Sequence, residues 1–484
     1  LKKKNFIVEK KKIVFGITLL TVLIYTGAIV WWHLYSPQQN LTVQAPGADN
    51  RPEGTARSIY DVRIGEHFMM FSDAAINPAL TETWTRFRGE RKDNIIRTSA
   101  RINISDADFP ILWAVETGEG YAAPVIYNGR VFLLDYYERL NSDALRVFAL
   151  ETGEELWRRW YRVPMRRNHG FSRTVPAIGS DYIATIGPEG HVMVCHPITG
   201  EMLWSLDMQK EFNTQIPHWY TGQCPLVHNG VLVLAPGGDE VLMAGFDVRT
   251  GEMLWSVPNE QNMRMSHSSI MLMTLGGKQM YVYIAVGGVV GVSAEAHDKG
   301  TLLWTSTQWR PTVIAPSPVQ ISANEVFLVA GYGTGGARLR VTQSGNQWNT
   351  TIVEQYRPNE GMSSEQQTPI LHNNMFISIM PRDGGGNRSR LVMYSPNDLR
   401  TPIWASTGDE RFGLGPYIVI NNYLFIFNDD GELFVYAIEA RGLRLLKRQI
   451  VVEDGIDAWG PIAYADGILI VGDAHSLKGL RIAN

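Results

Sequence analysis

The chain has 484 residues, 45% of them hydrophobic, with 46 Gly, 24 Pro and a formal charge of −4. A sequence of this length and apolar content buries a large core and lacks the charge excess of a disordered chain. The charge is uneven: residues 1–12 hold six Lys against Glu9, a net +5, which leaves −9 for the remainder. That balance excludes a nucleic-acid partner, because phosphate binding needs a basic face.

The first predicted element is a helix that crosses a membrane. Lys2, Lys3, Lys4, Lys10, Lys11 and Lys12 precede an uncharged stretch from Ile13 to Trp32, about the 20 residues needed to span a bilayer. Trp31, Trp32 and Tyr35 follow where an aromatic belt belongs. The alternative is a cleaved secretory signal, but the stretch is long for one and no small-x-small site follows it cleanly. Residues 1–35 therefore read as a basic tail and anchor that meets lipid through residues 13–32. The positive-inside rule places the lysines in the cytoplasm and the bulk of the protein across the membrane.

Residues 36–108 read as a linker and N-terminal extension. Its first part is rich in Pro, Gln, Gly and Asn and has no sustained period, as expected of a stalk. Arg63, His67 and the run Phe68-Met69-Met70-Phe71 read as a strap lying on the folded body, with a docking segment for a membrane partner as the alternative.

From residue 109 to the end the chain repeats. Trp113, Trp157, Trp204, Trp255 and Trp304 recur every 44 to 51 residues, three of them closing a Thr-Gly-x-x-Leu-Trp unit such as Thr250 to Trp255. Repeats of this period point to a propeller or solenoid. Most repeats open with Pro before an apolar strand, as at Pro124, Pro176, Pro225, Pro318, Pro369, Pro416 and Pro461, with Ser269 in the remaining slot. Pairs such as Asn128-Gly129, Asn229-Gly230 and Asp466-Gly467 follow, suited to the positive φ of tight hairpins. Eight openings are present, yet the last repeat ends after three strands. The isolated segment Pro110 to Val115, with Trp113, is a closing strand without a repeat in front of it. These features predict an all-β, eight-bladed propeller closed by an N-terminal strand, which removes free sheet edges. Seven blades is the alternative, because the closings near Trp348, Trp404 and Leu445-Leu446 are degenerate. Trp113, Trp157, Trp204, Trp255, Trp304 and Trp404 are assigned to packing between blades, each indole burying a large area while its N–H finds a partner.

The residues Gly245-Phe246-Asp247-Val248-Arg249-Thr250-Gly251-Glu252-Met253-Leu254-Trp255 resemble the tryptophan-docking motif of the pyrroloquinoline-quinone (PQQ) repeat propellers. That superfamily includes the PQQ alcohol dehydrogenases and the non-enzymatic outer-membrane assembly factor BamB. Ala149 and His196 stand where the motif prefers Asp. Trp84-Thr85-Arg86-Phe87-Arg88-Gly89, followed by Asp93-Asn94, is similar to the opening of many bacterial PQQ-like repeat proteins.

For the dehydrogenases, the resemblance implies PQQ on the propeller axis with Ca²⁺ as Lewis acid, carboxylate and amide ligands, a base and an adjacent Cys-Cys pair. The chain has only Cys195 and Cys224, in different repeats. They read as two buried free thiols, with a disulfide as the alternative. No adjacent cysteine pair, zinc spacing or C-x-x-C-H is present. Gly384 to Asn387 reads as a hairpin tip, and Gly331 to Gly336 mimics a phosphate loop without a following helix. His169, Arg173, Glu189, His191, Gln223, His267, Glu365, Gln366, Gln367 and Trp459 gather near the inner-strand openings. The polar lining of a wet channel accounts for them, and a small-molecule site is the alternative. No catalytic residue, metal site or cofactor is assigned. The functional expectation is a non-catalytic propeller anchored in a bacterial inner membrane and facing the periplasm, a scaffold or accessory subunit for membrane proteins. A PQQ- and Ca²⁺-dependent alcohol or sugar dehydrogenase is the alternative.

Overall fold

The computed structural model describes residues 2–35 and 62–483, so the stalk at 36–61 lies outside the described residues. It divides into two compact units, Leu1–Tyr60 and Asp61–Asn484. In the first, one helix spans Lys2–Leu34, and its segment Lys10–Leu34 is long and apolar enough to cross a membrane. The hydroxyls of Thr18, Thr21 and Thr26 each donate to the carbonyl four residues back, at 2.8–2.9 Å. These three hydroxyls thus find partners within the helix, which suits lipid. The helix fits a membrane anchor or a signal sequence.

The second unit is an eight-bladed propeller of antiparallel sheets. Blade one comprises Val125–Tyr127, Arg130–Tyr137, Ser142–Ala149 and Glu155–Arg162. Blades two to seven follow at 177–207, 226–258, 271–306, 319–356, 370–405 and 417–450. The degenerate closings near Trp348, Trp404 and Leu445 each lie on a full outer strand, so the count is eight. The hairpin turns carry the residues the backbone needs: Asn128 and Gly129 sit at φ of 47° and 66°, Asp466 and Gly467 at 49° and 76°.

Blade eight is built from both ends of the sequence. Ala463–Ala465, Ile468–Gly472 and Ser476–Arg481 supply three strands, and Ile111–Glu116 pairs along the last of them, Trp113 opposite Gly479. The ring is thereby closed by main-chain hydrogen bonds.

The repeating tryptophans wedge between neighbouring blades. Trp113 of blade eight donates Nε1–H to Leu150 O of blade one at 2.8 Å, and Trp204 of blade two donates to Val248 O of blade three at 2.9 Å. Each ring lies on the glycine of the next blade's Thr-Gly turn. A Cβ on Gly153 or Gly251 would come within 2.7 Å of the indole, and both glycines have positive φ, 69° and 75°. Trp255 and Trp404 occupy the same position over Gly300 and Gly442. Trp304 donates instead to Met280 Sδ, at 3.2 Å. Trp157 and Trp255 bury Nε1 without a partner. The place of Trp157 on the next blade is taken by Phe68, which packs on Gly200 and lies 5.9 Å from the Trp157 ring.

Residues 62–108 belong to the same compact unit as the ring. His67–Met70 adds a fifth strand to the outer edge of blade one. The chain then crosses the channel at the end where the inner strands run into their hairpin turns. Trp84 exchanges two 2.8 Å hydrogen bonds with Ile126, Thr85 O accepts from Ile178 N, and Arg86 Nη1 donates to Val227 O. Arg88 reaches Thr368 O and Pro369 O, and Ile95–Ile96 pairs parallel to Val419–Ile420. The Asp466 carboxylate accepts from the Thr81 and Glu82 amides. This segment therefore plugs one end of the channel, bonded to blades one, two, three, six, seven and eight.

Candidate functional site

At the opposite end, the loops that precede the inner strands converge on a cavity of about 190 Å³ with Phe87 of the plug as its floor. Position in the repeat decides which side chains arrive there. Tyr121, Arg173 and Gln366 each stand three residues before the proline that opens a blade, Pro124, Pro176 and Pro369, and all three line the mouth.

Two aromatic pairs form the walls. Tyr121 and Trp459 lie 4.8 Å apart, and Trp219 and Tyr332 stack at 5.7 Å. The first pair carries a cation on each member: Arg173 lies 4.9 Å over Tyr121 and Arg382 lies 5.7 Å over Trp459. Arg173 is fixed by donating Nε–H to Trp219 O at 2.5 Å and an Nη2–H to His169 O. Burial lowers its pKa to about 10. No carboxylate among the described residues forms an ion pair with Arg173 or Arg382. Arg173 is half-buried and Arg382 exposed, so both guanidinium groups set positive charge beside the aromatic walls.

Burial shifts three other groups in or beside the mouth toward their uncharged forms. Burial, with Arg173 nearby, holds His267 down to about 4, so it is uncharged at neutral pH. Burial raises Glu365, whose Oε2 accepts from Arg382 N at 3.3 Å. Asp429 is pushed up to about 6 by burial while accepting from Trp459 Nε1 at 3.0 Å and Leu414 N at 2.9 Å. Gln367 donates to Trp459 O at 2.9 Å and so buttresses the same ring.

Of the residues singled out in the sequence, His169, Arg173, His267, Glu365, Gln366, Gln367 and Trp459 meet at this mouth. The others lie elsewhere. Glu189 is on the turn before the third strand of blade two and accepts from Gln209 Nε2 at 3.0 Å. His191 is buried between blades one and two, 3.7 Å from Asp207 and 5.5 Å from the Tyr161 ring, with its pKa lowered by burial to about 4. Gln223 is enclosed beneath the cavity, bonded to Ala235 and Tyr283. Tyr121, Trp219, Tyr332 and Arg382 complete the mouth but escaped sequence reasoning. Tyr332 and Arg382 ride on the loops that resembled a phosphate cradle and a hairpin tip, and only the three-before-proline register would have found Tyr121.

A family model described as "Outer membrane protein assembly factor BamB" matches residues 141–384, just over half of the chain. The chain belongs to this family of PQQ-repeat propellers. Solved structures resemble this BamB-family chain in fold. Quinohemoprotein alcohol dehydrogenase ADHIIG from Pseudomonas putida matches at 12% identity and a TM-score of 0.52, covering 83% of this chain and 80% of that one. A europium-containing methanol dehydrogenase matches at 10% identity and a TM-score of 0.52, with 80% and 89% covered. The computationally designed protein Ika8 matches at 15% identity and 0.51, with 77% and 98% covered. At these identities the likeness is one of fold. No curated protein sequence matches the chain.

The quinoprotein neighbours raise the question of whether this BamB-family mouth fits PQQ with Ca²⁺. Ca²⁺ takes six to eight oxygen ligands, carboxylates prominent among them. The mouth lining supplies one carboxyl group, Glu365, and two arginines. That donor set does not fit a bound Ca²⁺. The acidic cluster Glu295, His297 and Asp298 lies outside the cavity lining and is held by the Lys278 ammonium, 2.7 Å from Asp298.

Proposed function

We propose that the protein is a non-catalytic propeller, anchored by its N-terminal helix in a bacterial inner membrane with the ring on the periplasmic side. It serves as a scaffold or accessory subunit for other membrane proteins. The observation that carries this reading is the donor set of the channel mouth: two arginines in no ion pair among the described residues, four aromatic rings and a single carboxyl group. It suits recognition rather than Lewis-acid chemistry. The basic tail before the apolar helix supports the orientation, and membership of a family named for an assembly factor supports protein partners. This chain has a long apolar helix where its anchor is proposed, so the outer-membrane setting of the family name is not carried over.

The competing reading, a PQQ-dependent dehydrogenase, is tested directly. Purified protein is mixed with PQQ and Ca²⁺ and followed by absorption and by dye-linked oxidation of primary alcohols. The scaffold reading predicts no quinone band in the gel-filtered protein and no dye reduction. A stoichiometric quinone band with alcohol-dependent dye reduction overturns it.

A further inference from the structure

The outermost element of blade one is not one of its own four strands. His67–Met70 runs antiparallel along Glu155–Arg162, His67 opposite Trp160 and Met70 opposite Trp157, and forms the rim of a five-stranded sheet. Phe68, Met69, Met70 and Phe71 are 38–51% exposed, four large apolar side chains in succession. Phe68 packs into the inter-blade groove on Gly200. Met69 and Met70 keep about half of their surface exposed, 48% and 51%.

The backbone faces are fixed by one hydrogen bond. Phe71 N donates to Leu156 O at 2.8 Å. Antiparallel alternation then turns the N–H and C=O groups of Phe68 and Met70 away from the blade, along an edge with no further strand among the described residues. Natural sheets blunt such edges with Lys, Pro or a bulge, or cover them. This one carries apolar side chains instead. Glu66, 3.2 Å from His67, and the exposed Asp73 flank the strand in sequence, and four arginines, Arg63, Arg158, Arg159 and Arg162, lie beside it. Arg63 and Arg162 are exposed beside it, and the Glu155 carboxylate is already engaged by Arg146 and Arg158 at 2.8–2.9 Å.

We infer that this rim is a docking edge for an extended segment of a protein partner that carries carboxylates and adds as a sixth strand to blade one. The inference rests on the scaffold reading and names the partner's chemistry. A strand satisfies the outward amides and carbonyls in register, its apolar side chains meet Met69 and Met70, and its acids meet the arginines. A lipid surface offers no matching ladder.

The test uses the full chain in its native membrane with the photo-cross-linker benzoylphenylalanine at position 69, and at exposed Asn349 on blade five as control. The expected result is a position-69 adduct with a protein segment rich in Asp and Glu. Its yield should fall about tenfold in Met70→Pro, which removes an outward amide from the added ladder. Arg162→Glu, which leaves the backbone untouched, should lower the yield as well. Thermal melting of each variant checks that the ring is intact. Adducts with lipid, with a second copy or with residues 36–61 of the same chain overturn the inference, as does a yield indifferent to both variants. A protein that keeps its partners in mild detergent but gives no adduct at position 69 defeats the docking edge while leaving the scaffold intact.

Discussion

Arg88 shows how a single side chain organises the plug. Its guanidinium is buried and donates to four carbonyls, those of Lys92, Asp93, Thr368 and Pro369, at 2.8–3.2 Å. Arg88→Met removes every donor and leaves buried acceptors unpaired, so a loss of about 2–4 kcal/mol is expected. The loss is measurable as a lower melting temperature with new protease cleavage within residues 81–100. Cys195 and Cys224 are free and buried, and burial pushes their thiols up to about 12 and about 11. Neither should react with maleimide at pH 7.5 until denaturant is added. Rapid labelling of the native protein contradicts that. The arrangement of Arg88 was not legible in the sequence, because its partners lie about 280 positions downstream. The two thiols were, since isolated cysteines in apolar repeat strands tend to be buried.

Between elements, contacts between blades carry stability, and a contact between two strands of blade one carries pH dependence. Gly251 sits at φ 75° with Trp204 over it, so Gly251→Ala combines backbone strain with a clash. It should cost about 1–3 kcal/mol, read from the urea midpoint. Asp143, on the third strand of blade one, accepts from Tyr161 Oη at 2.6 Å, and burial raises its pKa to about 7. Its folded pKa lies above the unfolded value of 3.8. The contribution is therefore full below about pH 4 and is lost as pH rises to about 7. Asp143→Asn should flatten this slope and melt above the parent protein at pH 8, while a parallel pH profile contradicts the assignment. The blades themselves were legible because each repeat states its own ends, a proline, a turn pair and a closing indole. The plug was not, since residues 81–98 have no period of their own and take their shape from hydrogen bonds to six different blades. The cation-bearing aromatic pairs escaped for a similar reason, since Arg382 and Trp459 come from different blades and meet only when the ring closes.

At the scale of the whole molecule, an N-terminal strand and a channel-crossing segment bind the ring shut before any partner arrives. Removing residues 1–60 should leave cooperative melting unchanged. Removing 1–116 deprives blade eight of its closing strand and the channel of its plug, and should abolish a single sharp transition in calorimetry. A ring closed in this way offers the rigid surface that the proposed scaffold requires, and the apolar helix fits a membrane anchor or a signal sequence. Native mass spectrometry of the full chain, extracted in mild detergent, tests this account most directly. The account predicts the 54.3 kDa chain in stoichiometric assembly with at least one other membrane protein. A chain that emerges alone from every mild extraction contradicts it.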